Sequence, residues 1–353
     1  MRIQSWLFIL SILLLSIGCF QSKQTVLQAE NTFSDKKVRL MFYNVENLFD
    51  TENDSLTNDD EFLPDGAKYW TPFKYREKLT HIYKVFAAVG QWQGVDIAGL
   101  CEVENLKVLE DLVNTTPLKS VGYKILHKNS TDPRGIDVAI LYNPATVKVL
   151  YYNAVPVLYP ESSGRGRDIL HAVFTTPGND TLHFYVNHWP SRFSGHIETE
   201  EKRLAAALTL KRHSDSVMLA QPGAKIVITG DFNDHPTDGS FVYGLQTINT
   251  FDNPIGNKLY NVSYYLQETK LKWSYKHQGI GGILDQIIVS GALLTAQNGV
   301  STNPDLASTG EFDFLLEDDN YYPGLKPFRT YIGYKYNEGY SDHLPVYIDL
   351  ILR

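Results

Sequence analysis

Lys225-Ile226-Val227-Ile228-Thr229-Gly230-Asp231-Phe232-Asn233-Asp234 is a short apolar run that stops at polar residues. It reads as a buried strand over 225–229, closed by a carboxylate and an amide. The same arrangement recurs along the chain. Asn44 follows Met41-Phe42-Tyr43, Glu102 follows Leu100-Cys101, and His188 follows Tyr185-Val186-Asn187. Asp285 lies within Ile283-Leu284-Asp285-Gln286-Ile287, and Asp342-His343 stands just before Leu344-Pro345-Val346. Six strand ends bearing acids, amides or imidazoles can converge on one pocket, because sites form where loops leave a rigid sheet.

Working outward, strand-like runs fall at 38–44, 96–101, 136–142, 169–175, 181–187, 284–289 and 344–350. Leu79, Ile82, Tyr83, Phe86 and Val89 recur at helical spacing and predict a helix from Tyr75 to about Gly90. Further helices are expected over 103–113 and 198–219. No GxGxxG or GxxxxGKS follows a strand, so nucleotide-cofactor folds lose support. No internal repeat is evident. The pattern suits two stacked sheets with helices outside them, in one domain.

Composition narrows the function. With 353 residues, 43% hydrophobic and 20% charged, the chain has ample surface to bury and is not disordered. Its 12% aromatic content, with 22 Tyr, suits broad sheets. The balance of 32 Lys+Arg against 40 Asp+Glu gives −8. A sequence-independent grip on nucleic acid neutralises phosphates with basic side chains, so tight passive binding to DNA is disfavoured. Transient handling of a phosphate at one local site remains open.

The strand-end residues form a coherent chemical set. Asn44, Glu102 and one or two Asp offer hard oxygen ligands, the set for Mg²⁺ or Ca²⁺. CxxC and HExxH are absent, which argues against zinc. Two histidines beside carboxylates suit acid–base work or anion stabilisation. There is no GxSxG elbow, and Cys101 sits in an apolar run as a small hydrophobe. Metal-assisted attack by water fits this inventory.

The ordered set Asn44-Val45-Glu46-Asn47, Glu102-Val103-Glu104, Asn187-His188-Trp189, Gly230-Asp231-Phe232-Asn233-Asp234, Leu284-Asp285-Gln286-Ile287 and Ser341-Asp342-His343-Leu344-Pro345 resembles the endonuclease/exonuclease/phosphatase superfamily. That superfamily includes DNase I, exonuclease III, sphingomyelinases and inositol polyphosphate 5-phosphatases. The resemblance runs over 38–352. It implies an α/β fold, a four-layer sandwich of two central, mainly antiparallel sheets flanked by helices. It implies Glu102 as the main Mg²⁺ ligand (Mn²⁺ or Ca²⁺ being alternatives), with Asn44 beside it or ordering its water shell. Asp342 would be a second metal or outer ligand. Asp231 would orient or deprotonate the attacking water, and Asn233 would bond the phosphate or hold Asp231. His343 would donate to a non-bridging oxygen, Asp285 would hold His343, and His188 would lie near the phosphate or leaving group. The substrate expected is a phosphodiester, DNA or RNA first. Phospholipid headgroups, inositol phosphates and a non-catalytic binding module are the alternatives.

Other segments carry weaker signals. Arg192, just beyond His188, is a candidate substrate contact. Gly164-Arg165-Gly166-Arg167-Asp168 reads as a solvated loop, with phosphate binding as the alternative. Asp137 is either a supporting residue of the site or part of a turn. The Tyr-rich stretch 321–340 is read as a lid or an exposed binding surface, with packing as the alternative. At the N-terminus, Arg2 precedes an apolar run over 6–18, the length of a signal-peptide core and too short to span a bilayer. Gly18-Cys19 resembles a bacterial lipobox. This gives a signal peptide at 1–18, a lipid acceptor at Cys19, a tether over 19–37 and the main domain over 38–353. Export and lipid anchoring to a bacterial envelope membrane are expected. Nothing in the sequence reports the oligomeric state.

Overall fold

A computed structural model of the chain describes residues 37–91, 94–160, 166–192 and 195–353. The signal peptide, Cys19 and nearly all of the tether lie outside the described residues.

Alternation along the first strand, β1 (Lys37–Leu48), sets the layer order. Leu40 and Phe42 face one way, Met41 and Tyr43 the other, as the two-residue period of a strand dictates. Met41, Tyr43 and Val45 pack with Leu79, Ile82 and Phe86 of helix α1 (Pro72–Gly90) and with Leu109 and Leu112 of α2 (Leu106–Thr115). Leu40 and Phe42 instead join Ile140, Phe174, Phe184, Val227 and Ile287 in a core between two sheets. On the far side of the second sheet, Tyr185, Ile226, Ile228 and Ile288 cover Ala206, Ala207 and Leu210 of α3 (His196–Ala220). Helices, sheet, sheet and helix make four layers, as expected.

The first sheet runs β13 (Val300–Ser301), β19 (Val346–Leu352), β1, β2 (Ile97–Val103), β4 (Asp137–Tyr142), β3 (Lys124–His127), with β14 (Ala307–Thr309) also on β19. The second runs β5 (Lys148–Val155), β6 (Ile169–Thr175), β7 (Thr181–His188), β8 (Lys225–Asp231), β12 (Asp285–Ser290), β9 (Leu259–Asn261). Three two-stranded hairpins complete the set: β10 (Tyr275–His277) with β11 (Ile280–Gly282), β15 (Leu316–Asp318) with β16 (Leu325–Pro327), and β17 (Tyr331–Ile332) with β18 (Lys335–Tyr336).

Two pairings place the site. β1 and β2 are parallel, with Asn44 opposite Cys101. β7 and β8 are also parallel, with His188 opposite Asp231. Parallel neighbours end at the same pole. β12 runs antiparallel to β8 and starts there, Asp285 opposite Asp231. The start of β19 likewise meets the end of β1, Phe42 opposite Val346. The two sheets touch closely beneath this pole. A Cβ on Gly99 of β2 would lie 2.7 Å from Val186 of β7, so only glycine permits the approach.

Several sequence expectations shift at the ends. β1 continues past Asn44 to Leu48, and α2 starts at Leu106 after the Asn105 cap, whose side chain accepts from Val108 N–H. Thr71 and Pro72 start α1 three residues early. Cys101 is fully buried and free, and burial pushes its thiol well up. The Tyr-rich stretch divides: Tyr331 and Tyr340 are core residues, whereas Tyr321 and Tyr334 are exposed. No helix among the described residues is long and apolar enough to cross a membrane.

A histidine stack under α3 yields a stability prediction. The His171 ring stacks on Tyr185 at 4.2 Å and its Nε2 lies 3.1 Å from His183 Nδ1, with His213 edge-on. Burial, aided by His213 and His183, pushes His171 down to about 3. The unfolded chain therefore takes up the proton first. Stability is intact above pH 6.5 and is lost as pH falls towards the folded value. The loss is about 2 kcal/mol between pH 7 and pH 5. His171→Phe is expected to remove much of this, so its thermal midpoint should fall less than that of the wild type over the same interval.

Candidate active site

Glu102, next to last in β2, is in the left-handed region, φ 61°, at a bulge where the β2–β4 register shifts. A bulge re-aims a side chain that regular pleating would send elsewhere. Its Oε2 accepts from Asn47 N–H at 2.9 Å, and Asn47 too has a positive φ, 60°. Asn233, the residue after Phe232, has φ 52° and donates its N–H to Asp231 Oδ1 at 3.0 Å. Backbone strain of this kind is costly and persists where the surroundings fix it. Here it gathers around one cleft.

At its centre is Asp231. Asn44 Nδ2 donates to Asp231 Oδ2 at 3.0 Å and to Glu102 Oε1 at 3.3 Å, while Asn44 Oδ1 accepts from Glu46 N–H. The amide thus joins the two sheets through two carboxylates. In this orientation Asn44 offers the cleft its nitrogen, and its oxygen is already engaged. His188 Nε2 lies 3.7 Å from Asp231 Oδ2 and 3.8 Å from Glu102 Oε1. His343 Nε2 lies 3.8 Å from Asp231 Oδ2 and 3.9 Å from Asp342 Oδ1. These gaps are too long for direct hydrogen bonds. His343 Nδ1 is 2.7 Å from Asp285 Oδ2. Among the described residues, Asp285 Oδ1 and His188 Nδ1 are buried with no hydrogen-bond partner.

The two imidazoles are pushed apart electrostatically. Burial disfavours charge on His343, but Asp285 and Asp231 outweigh it and hold the ring well above its ordinary value. Burial, with Arg167, Arg134 and His343, drives His188 well below its own. The cleft thus favours charge on His343 and disfavours it on His188. Burial pushes Asp231 up to about 7, against the pull of His343 and with the push of Asp285 and Glu102. A carboxylate poised near neutrality suits proton transfer.

The structure brings all eight expected site residues to this pole. Glu102, Asp231, Asn233, His188, Asp342 and His343 line a cavity of 640 Å³. Asn44 and Asp285 stand directly behind it. Asn233 turns its Nδ2 to the carbonyl of Trp189, 3.0 Å away, which pins the loop after β8. One oxygen each of Asp231 and Asp285, with a ring nitrogen of His343, lies within 4.8 Å of the others, and this buried group could hold a metal ion.

Other expectations resolve differently. Arg192 borders the cavity, as a substrate contact would, and is also tied by Asn233 O, Asp234 and Asp238, which braces the Asp231 loop. Arg167 is buried and donates to the carbonyls of His188 and Trp189 and to Asp132, which makes it a strut. Gly164 and Arg165 of the glycine–arginine stretch lie outside the described residues. Asp137 accepts from Ser130 N–H and meets His127 Nε2 at 3.0 Å, behind the loop that carries Arg134 to the cavity. Arg329 was not singled out in the sequence. Its guanidinium joins Glu46 Oε1 at 3.1 Å to Asp342 Oδ2 at 3.0 Å.

Residues 39–351 match the profile of the Endonuclease/Exonuclease/phosphatase family. The chain belongs to that family. Members of the endonuclease/exonuclease/phosphatase family are divalent-metal-dependent hydrolases of phosphoester bonds. No curated protein sequence matches the chain. Solved structures share the fold at low identity. The human Nocturnin catalytic domain with bound sulfate is 16% identical, covers 90% of this chain and 95% of its own, and gives a TM-score of 0.53. The family protein from Bacteroides vulgatus is 16% identical over 90% and 100%, with a TM-score of 0.55. D. rerio TDP2 complexed with single strand DNA product is 15% identical over 90% and 99%, with a TM-score of 0.53.

Asp285→Asn tests the electrostatic assignment. The His343 ring should titrate at a lower pH by NMR, because the main source of its positive charge is gone. Activity should fall about 10- to 100-fold, the usual cost of losing such a supporting partner.

Proposed function

We propose that the chain is a Mg²⁺-assisted phosphodiesterase, and that its substrate is nucleic acid. The observation that carries this reading is the arrangement about Asp231: a buried carboxylate near neutrality, with the His188 and His343 rings each within 3.8 Å of one of its oxygens. That is a site for a water and a phosphate together. The relative with a nucleic-acid product, D. rerio TDP2, supports the substrate class.

The donor set fits a hard cation. Glu102 Oε1 faces the cleft beside Asp231, and Asp342 borders the same cavity. Glu102 would hold the ion, with Asp342 near it and Asn44 fixing the Glu102 carboxylate through its amide. The ion would neutralise charge on the phosphate and on the departing oxygen.

The chain's own residues supply the remainder. Asp231 accepts the proton of the attacking water, and Asn233 and Asn44 hold its two oxygens. His343, charged by Asp285, donates from Nε2 to a non-bridging phosphate oxygen. His188 stands on the other side of Asp231, beside Glu102, and contacts the phosphate or the leaving group. Attack in line inverts the phosphorus.

We also propose export and lipid attachment at Cys19, with residues 1–18 removed and 19–37 as the tether. Cys19→Ala should abolish incorporation of labelled palmitate and leave the hydrolase active.

A panel of substrates tests the activity: single-stranded and plasmid DNA, RNA, sphingomyelin and inositol polyphosphates. Nucleic acid should be cleaved, and chelation should abolish cleavage until Mg²⁺ is restored. Asp231→Ala and His343→Ala should each lower kcat about 10²- to 10⁴-fold with the fold retained by circular dichroism. Near-normal turnover in either would sink the assignment. Because Asp231 must be ionised to act, kcat/KM should fall on the acid side of pH 7, and a bound cation should move that limb to lower pH.

A further inference from the structure

We propose that the hairpin β10–β11 is a stacking site for an unpaired nucleobase beside the scissile phosphate; this rests on the phosphodiesterase reading of the site. The cavity of 640 Å³ is of the size that holds a whole organic ligand, well beyond a phosphate group. Glu102, Asp231, Asp342, His188 and His343 line part of it. The hairpin lines another part.

In the hairpin, Tyr275 pairs with Gly282 and His277 with Ile280, so Tyr275, His277 and Ile280 share the face that lines the cavity. The ring of Tyr275 lies 4.9 Å from that of His343, tilted by 33°. The His277 ring is parallel to Tyr275 within 9°, its centroid 6.4 Å further on. A row of rings thus leads outward from the catalytic imidazole. Gly282 leaves space for a further ring, His235, which a Cβ there would meet at 2.4 Å. Ile280 is 76% exposed at the mouth, an apolar side chain beside a polar cleft.

The hairpin is also built to hold its shape. Gln278 and Gly279 both have positive φ, 48° and 81°, the two-residue turn that matches strand twist. On the opposite face Lys276 Nζ donates to the carbonyls of Pro323 and Leu325 and pairs with Asp319 at 3.3 Å. The tip rests on the Tyr322 ring, 2.8 Å from where a Gly279 Cβ would stand. Such bracing pre-orders a stacking wall before the ligand arrives.

The chemistry selects the occupant. Planar rings in a row favour a planar π system. A quaternary ammonium headgroup needs electron-rich rings, whereas three of the four here are imidazoles, and Arg134 and Arg192 border the same cavity. An inositol ring has no π face to stack. A base can reach the rings only when unstacked from its neighbours, which points to single strands or frayed ends. The net charge of −8 agrees, since it lacks the excess needed to follow a duplex.

The test compares two diesters that lack an aromatic leaving group, thymidylyl-(3′,5′)-thymidine and glycerophosphocholine, with Mg²⁺, on wild type, His277→Ala and Tyr275→Phe. Wild type should prefer the thymidine diester. The ratio of the two kcat/KM values should fall about tenfold in His277→Ala, the scale of one lost base–aromatic stack, and hold in Tyr275→Phe. An unchanged ratio in His277→Ala, or no preference in wild type, overturns the proposal. Failure of wild type to hydrolyse either ester would overturn the phosphodiesterase reading instead. Calorimetry then decides the stacking site by itself. Thymidine 5′-monophosphate should bind about tenfold tighter than 2-deoxyribose 5-phosphate, and His277→Ala should erase the difference; equal binding in wild type overturns the site.

Discussion

Burying Asp231 is the constraint on which the rest of the structure turns. A carboxylate removed from water is costly unless charges and hydrogen bonds compensate. Here one oxygen takes a backbone N–H from Asn233 and the other an amide from Asn44, across the gap between the sheets. The positive charge comes from His343, which needs Asp285 to keep it. Each partner arrives on a different strand end. The parallel pairs β1–β2 and β7–β8, and the antiparallel approach of β12 and β19, are what bring those ends to one pole.

A second tier of contacts supports the loop that carries His343. Lys78, buried in α1, donates from Nζ to Thr330 Oγ1 and to the Tyr340 carbonyl, both at 2.6 Å. His81 reaches the Gly339 carbonyl and stacks on Tyr340 at 4.1 Å. Ser341 Oγ donates to the carbonyl of Asn44 and accepts from His343 N–H. A helix with no reacting group thereby sets the position of the imidazole. Burial pushes Lys78 down to about 8, opposed by Glu46 and Asp342.

The strand ends were legible in the sequence because the signal is local: an apolar run interrupted by one polar residue type. The two stacked sheets followed from the order of strand-like and helical runs, whereas the four-layer sandwich came with the family resemblance. What was not legible depends on contacts between distant parts of the chain. Arg329 meets Glu46 across 283 positions, and nothing beside either residue announces the other. Arg192 had the look of a substrate ligand, and Arg167 that of a residue in a solvated loop, because a basic residue reads alike whether it faces solvent or a buried partner. Asn44 was read as an oxygen donor. Only the N–H of Glu46, two residues on, shows that its oxygen is used. The hairpin at Tyr275 escaped notice since a three-residue strand leaves too short a pattern for periodicity to detect.

The pairing of Lys37 with Ile351 places the start of the domain beside its last strand. Asn44 lies seven residues further along the same extended strand, about 23 Å away at the usual rise. Entry of the chain and mouth of the cleft therefore sit at opposite poles of β1. Along this one strand, the residues that pair with the end of β19 and the residue that meets the cleft are therefore separate sets.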